Sequence, residues 1–174
     1  MDFLIREAGR EDMESFLALL QIAHAHLENK EWLYLDDPEE FREMMDDGSM
    51  KLWVAMDGNR LAAAFDILIP GMDPYNYGFD LGFDEEMLLA TVNMDTIVVH
   101  PDYRGHGLMR TLMTEAEMWA GKHGYKYLTC TVHPENSYSL NNMLALGYRI
   151  QRTMPKYGSL RHVLRKDIPS KNNF

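Results

Sequence analysis

Hydrophobic and polar positions change period several times along the chain, and each change marks an element. Phe3 to Arg6 is a short run read as a strand. Met13, Phe16, Leu17, Leu20, Ala23 and Leu27 then recur at helical spacing, with Asp12 near the positive end of that helix. Asp37-Pro38-Glu39-Glu40 carries the signals of a second helix start. Asp37 is the cap, Pro38 fits the first turn where its missing N–H costs nothing, and Glu40 sits where a capping box wants it. Phe41, Met44 and Met45 give that helix an inner face and Gly48 ends it. Lys51 to Met56 and Leu61 to Ile69 read as two strands joined by the hairpin turn Asp57-Gly58-Asn59-Arg60.

Pro70 to Ala90 is the least regular stretch. It is either a functional loop, with aromatics lining a pocket and Asp73, Asp80, Asp84, Glu85 and Glu86 facing an amine, or a solvated insertion with a short helix at Asp84 to Leu89. Asp95 to Val99 is a strand that breaks at Pro101. After the loop Arg104-Gly105-His106-Gly107, a helix places Leu108, Leu112, Ala116 and Trp119 on one face and closes at Lys122 and Gly124. Tyr127 to Val132 is the next strand. A strand, a crossover helix and a second strand of this length predict a right-handed unit with parallel strands, whose carboxyl ends lie on the side where such sheets bind ligands. Tyr148 to Thr153 and Arg161 to Lys166 are two closing strands.

The length of 174 residues fits one domain, taken as residues 1–174. No apolar run is long enough for a membrane span, and the N-terminus reads as a strand rather than a signal peptide. A single cysteine forms no internal disulfide, and a cytoplasmic location is expected. The formal charge of −10 argues against nucleic acid and suits an amine substrate better. His24 and His26 point about 200° apart on a helix, and no His or Cys spacing calls for zinc, so no metal is expected.

The chemistry concentrates where the Asp95 strand feeds the glycine loop. The first amides of a helix lack partners, the macrodipole is positive there, and glycines let an anion reach the bare backbone. Arg104 adds a guanidinium whose fork grips phosphate oxygens. No lysine followed by Ser or Thr comes after the second glycine, so this is not a P-loop, and the third glycine of a dinucleotide fingerprint is missing.

Val99-His100-Pro101 followed by Arg104-Gly105-His106-Gly107-Leu108-Met109 resembles the coenzyme A signature of the GNAT N-acetyltransferase superfamily, with Met109 where a small residue is usual. Asn136, Ser139, Gly147 and Tyr148 fall on the positions of that family's second motif. The resemblance runs from about Met94 to Tyr148 and implies an α/β (α+β) fold. That fold is a central mixed, mostly antiparallel sheet of six to seven strands, with a parallel βαβ pair at the centre and helices on both faces. It implies acetyl-CoA as cosubstrate, bound through Val98, Val99, Arg104, Gly105, His106, Gly107, Leu108, Met109, Asn136, Ser139 and Asn142. It also implies that the strands on either side of the crossover splay to admit the pantetheine arm, bonded to the backbone around Val98 and Val99.

The implied reaction is direct attack of a neutral primary amine of a small molecule or peptide on the acetyl thioester. Asp95 is the first candidate for the base, with Asp66, Glu85 and Glu86 in reserve. Met143 occupies the position where many members carry a tyrosine that protonates the departing thiolate. Tyr138 is the first substitute, Tyr157 the other candidate, and unassisted release of a thiolate is the third option. A covalent route through Cys130 is disfavoured because His133 points to the opposite face of an extended strand. The alternative to an enzyme is a catalytically weak acyl-CoA-binding or sensing module of the same fold. The oligomeric state stays open, with a homodimer among the options.

Overall fold

The structure, a computed structural model, describes residues 2–170. In chain order its elements are β1 (Leu4–Glu7), α1 (Met13–Ala25), α2 (Pro38–Asp47), β2 (Met50–Asp57), β3 (Arg60–Leu68), α3 (Glu85–Leu89), β4 (Thr91–Val99), α4 (Leu108–Lys122), β5 (Tyr127–Val132), α5 (Ser137–Ala145), β6 (Arg149–Lys156) and β7 (Ser159–Asp167). The strands form one seven-stranded sheet in the order β1-β2-β3-β4-β5-β7-β6. β4 and β5 are parallel, whereas β1–β2, β2–β3, β5–β7 and β6–β7 are antiparallel. This is the mixed sheet with a central parallel pair that the sequence implies, at the upper strand count. Every residue of β3 from Ala62 to Leu68 is buried. Successive side chains of a strand point to opposite faces, so β3 is covered on both.

Contacts divide the chain into two compact units, Met1–Leu68 with Asp95–Ala116, and Ile69–Met94 with Glu117–Phe174. In the first, α1 buries Met13, Phe16, Leu19, Leu20 and Ala23. The inner stripe therefore takes Leu19 rather than the expected Leu17, and Leu27 lies beyond the helix end at Ala25. Phe16 meets Phe41 of α2 edge to face, with ring centres 5.4 Å apart. Asp37 caps α2 by accepting from Glu39 N at 2.9 Å, so the amide served is one residue earlier than the expected capping box with Glu40 requires. Arg6 donates two hydrogen bonds, at 2.7 and 2.8 Å, to Asp12, and the paired guanidinium holds the Asp12 carboxyl below the usual carboxylate range.

In the second unit the irregular stretch after β3 is partly exposed but anchored by buried residues, and it carries the short helix expected near Asp84 to Leu89 as α3. Asn76, Tyr77 and Phe83 are buried, and Asp84 caps α3 by accepting from Met87 N. Asp80 pairs with Lys156 at 2.8 Å and Glu86 with Lys126 at 3.7 Å, while Asp73 accepts from Tyr75 N. The charge expected to face an amine from this stretch is thus largely engaged locally. The Arg165 guanidinium lies 4.9 Å from the ring centres of both Phe83 and Tyr127. β6 and β7 run longer than the sequence suggested. β6 is mostly exposed, so no apolar alternation marks its length, and pairing with β7 carries it to the turn at Tyr157 and Gly158.

Asn93 ties this stretch to the sheet. It is buried; Nδ2 donates to Tyr75 O at 2.9 Å, and Oδ1 accepts from Thr129 Oγ1 at 3.0 Å and Tyr77 N at 3.4 Å. Replacing it with alanine strands those groups away from water, at about 1–3 kcal/mol for each one left unpaired. Asn93→Ala is expected to lower Tm and the urea midpoint of unfolding, by about 2–3 kcal/mol in total. A loss below about 0.5 kcal/mol would show that these bonds do not anchor the loop.

Candidate active site

The end of β4 leads into a loop whose floor is fixed and whose rim is open. Tyr103 is buried and donates to Asp57 Oδ2 at 2.8 Å. Arg60 lies over its ring at 5.2 Å and pairs with Asp102 at 2.8 Å. Above this floor Arg104, Gly105, His106 and Gly107 are all exposed. Gly105 and Gly107 have φ of 83° and 73°, and a Cβ at either would meet nothing within 4 Å. The need for glycine here is therefore conformational, not steric.

Among the described residues, the backbone amides from Gly105 to Arg110 donate no hydrogen bond inside the chain. The first to do so is Thr111 N, to Gly107 O at 3.1 Å. Leu108 and Met109 are buried, so the Met109 side chain turns inward and leaves its amide clear. Free amides at the start of a 15-residue helix, with exposed Arg104 and Arg110 alongside, are the kind of arrangement that can take an anion.

The other feature of this unit is a set of carboxylates. Asp66 on β3 is wholly buried, and neither carboxyl oxygen has a hydrogen-bond partner. Asp66 and Asp95, on the neighbouring strand β4, interact directly. Two ionised carboxylates offer each other only acceptors, so their contact becomes a hydrogen bond when one keeps a proton. Burial, then the charges of Asp95 and Asp36, hold the Asp66 pKa well above the carboxylate range, and the Thr96 amide opposes them weakly. Of the two, Asp66 is the more deeply buried, so its neutral form is the more strongly favoured.

Asp95 is half-buried, and Thr96 Oγ1 donates to its Oδ2 at 3.0 Å. Burial and the charge of Asp36 raise its pKa to about 7, against bonds from Thr96 and Asp66 that favour the ionised form. A carboxylate at that value is poised to take a proton near neutrality. Asp36, just before α2, is also half-buried, and burial with the charge of Glu40 raises its pKa. The sequence reading selected Asp95 and Asp66 but missed Asp36. Its only linear signal is an acid beside a helix cap, which describes many solvated residues.

Val98 is buried and Val99 half-buried on β4. The β4–β5 ladder covers Thr91↔Tyr127, Val92↔Leu128 and Asn93↔Thr129, and β4 beyond Asn93 forms no ladder with β5.

In the other unit, Asn136 caps α5, its Oδ1 accepting from Ser139 N at 3.2 Å. Asn142 Nδ2 donates to Tyr138 O at 2.9 Å within that helix. Tyr138 is 66% exposed, whereas Met143 is buried, so the thioether packs into the core. Tyr157 has φ of 55°, and its hydroxyl is hydrogen-bonded to that of buried Tyr77. Burial pushes the Cys130 thiol up, which disfavours the thiolate a covalent route needs, and His133 Nδ1 accepts from Glu135 N. Among the described residues no cluster of His, Cys, Asp or Glu could hold a metal, and no helix is long and apolar enough to cross a membrane.

The sequence profile described as the acetyltransferase (GNAT) family matches residues 14–148. No curated protein matches the chain by sequence. Solved structures do. The ribosomal-protein-S18-alanine N-acetyltransferase of Escherichia coli is 15% identical over 99% of both chains, with a TM-score of 0.72. The Salmonella typhimurium protein yncA, with its cofactor acetyl-CoA, is 18% identical over 98% of this chain and 96% of that one, with a TM-score of 0.73. An acetyltransferase of the GNAT family from Streptococcus pneumoniae is 20% identical over 97% of this chain and all of the other (100%), with a TM-score of 0.74. At such identities the likeness is one of fold. The family profile spans well over half of the sequence, including the glycine loop and the Asn136 motif, and the chain belongs to the GNAT acetyltransferase family.

Proposed function

We propose that this protein transfers the acetyl group of acetyl-CoA to a primary amine of a small molecule or peptide by direct attack. The observation that carries this is the run of unpartnered amides from Gly105 to Met109 beside exposed Arg104, which suits the diphosphate of coenzyme A. Val98 and Val99 offer backbone groups to the pantetheine arm and to the carbonyl oxygen. Asn136, Ser139 and Asn142 are proposed to complete the cofactor contacts, and Asn136 Nδ2 is free of any bond within the described residues.

Asp95 takes the proton of the arriving ammonium, and the neutral amine attacks the acetyl carbon. The C–S bond breaks, and the electron pair leaves on sulfur. Tyr138 is proposed to return a proton to that sulfur, although a thiolate of ordinary pKa near ~8.5 leaves without much help. The burial of Met143 supports a second reading, an acyl-CoA-binding module without turnover. Acetyl-CoA with a panel of polyamines, aminoglycosides, amino acids and peptides is expected to release thiol above the no-amine background. Thermal stabilisation by acetyl-CoA with no release on any amine would leave the binding module.

Two further outcomes test the site. Arg104→Ala removes one charge-assisted contact to phosphate, so KM for acetyl-CoA is expected to rise about tenfold or more with kcat little changed. Unchanged KM would place the diphosphate elsewhere. Asp95 acts as base only when ionised, and its pKa is raised to about 7. The wild-type kcat/KM should therefore rise with pH through about 7 and level off above it. Asp95→Asn should abolish that rise and cut kcat/KM by about a hundredfold or more. Retention of the wild-type profile in this variant would remove Asp95 as the base.

A further inference from the structure

A carboxylate sits beside the loop proposed to take a diphosphate. Asp102 comes two residues before Arg104 and three before Gly105. Left bare, its charge would repel an anion at the neighbouring amides. It is not bare. Arg60, the first residue of β3, pairs with it at 2.8 Å, and this guanidinium holds the Asp102 carboxyl below the usual carboxylate range. An exposed ion pair is worth little by itself, and both side chains are more than half exposed.

The pair is one contact of several that converge on the same turn. The Arg60 guanidinium lies 5.2 Å from the ring centre of Tyr103, and its Nη2 is 3.2 Å from His100 Nε2. His100 N donates to Ala62 O at 2.8 Å, which roots the turn on β3. Tyr103 donates to Asp57 Oδ2 at 2.8 Å, and Asp57 is the register partner of Arg60 across the β2–β3 turn. His106, inside the glycine loop, closes the circuit by donating from Nδ1 to Tyr103 O at 3.1 Å. The loop thus hangs on the end of the β2–β3 hairpin, and one guanidinium meets three of its residues.

Resting on the diphosphate site proposed above, we infer that Asp102 and Arg60 are positioning residues for the cofactor: neither touches it, and together they hold the loop so that the amides from Gly105 to Met109 stand in place for the diphosphate. Positioning and bare charge predict opposite signs. If only charge counts, removing a carboxylate beside an anion site tightens binding. If Asp102 keeps Arg60 over Tyr103, removing it loosens the loop and weakens binding. A lysine at position 60 keeps the charge but loses the fork and the flat face, so it cannot make the same set of contacts.

Calorimetric titration of the full chain with coenzyme A separates the two. Asp102→Asn is expected to raise Kd about fivefold although it removes a negative charge, and Arg60→Lys to raise it about as much although it keeps a positive one. The double variant should bind no more weakly than the weaker single variant, because both changes break the same contact. Circular dichroism and Tm without ligand check that each variant is folded. In turnover, KM for acetyl-CoA should follow Kd while kcat at saturation stays within about twofold of the wild type, a split that general damage to the fold would not give. Tighter or unchanged binding in Asp102→Asn, full affinity in Arg60→Lys, or losses that multiply in the double variant would each overturn the inference. A wild type that does not bind coenzyme A removes the diphosphate site and this inference with it. Wild-type binding without thiol release on any amine discards the transferase alone, and the Kd values of the variants still decide the positioning role.

Discussion

A helix cannot satisfy its own first amides, and at the start of α4 nothing else among the described residues satisfies them either. That constraint organises the site. Two glycines in left-handed conformation bend the chain between the turn at Pro101–Tyr103 and Leu108, and the amides of this bend donate no hydrogen bond among the described residues. Tyr103, Arg60 and Asp102 brace the turn from below, and buried Leu108 and Met109 brace it from behind. An anion arriving there would meet donors already held in place, so little ordering would remain to be done on binding.

The acids of β3 and β4 follow a second electrostatic logic. A carboxylate in water is a weak base, and burial next to like charge is what lifts it into the useful range. Asp66 contributes by occupying the more buried position, which raises its pKa and favours the neutral form that can donate to Asp95 rather than repel it. The partial exposure of Asp95 keeps a path to solvent or substrate open. Two chemically identical side chains on neighbouring strands thus take different roles because one is sealed and the other is not.

Much of this was legible in the linear sequence where local chemistry dominates. The Asp37-Pro38 helix start, the Asp57–Arg60 hairpin and the strand–glycine loop–helix at Asp95 to Lys122 each carry their own signals, and the structure places them within a residue or two. β6 was harder to delimit because an exposed strand lacks the apolar alternation that marks length. The stretch from Pro70 to Ala90 was read as two alternatives because its order comes from distant partners. Asn93 and Thr129 hold it, and no window of sequence shows that pairing. Asp36 was missed because its raised pKa comes first from burial, which the sequence does not show, and only then from the nearby charge of Glu40.

The raised pKa values of Asp66 and Asp95 also bear on the molecule in solution. An unfolded chain would ionise both acids at neutral pH, so folding takes up protons, and the fold weakens as pH climbs from the ordinary carboxylate range through the raised values. The formal count of −10 treats every Asp and Glu as ionised. Near the raised values, these two acids therefore carry less negative charge in the native protein than that count assigns them.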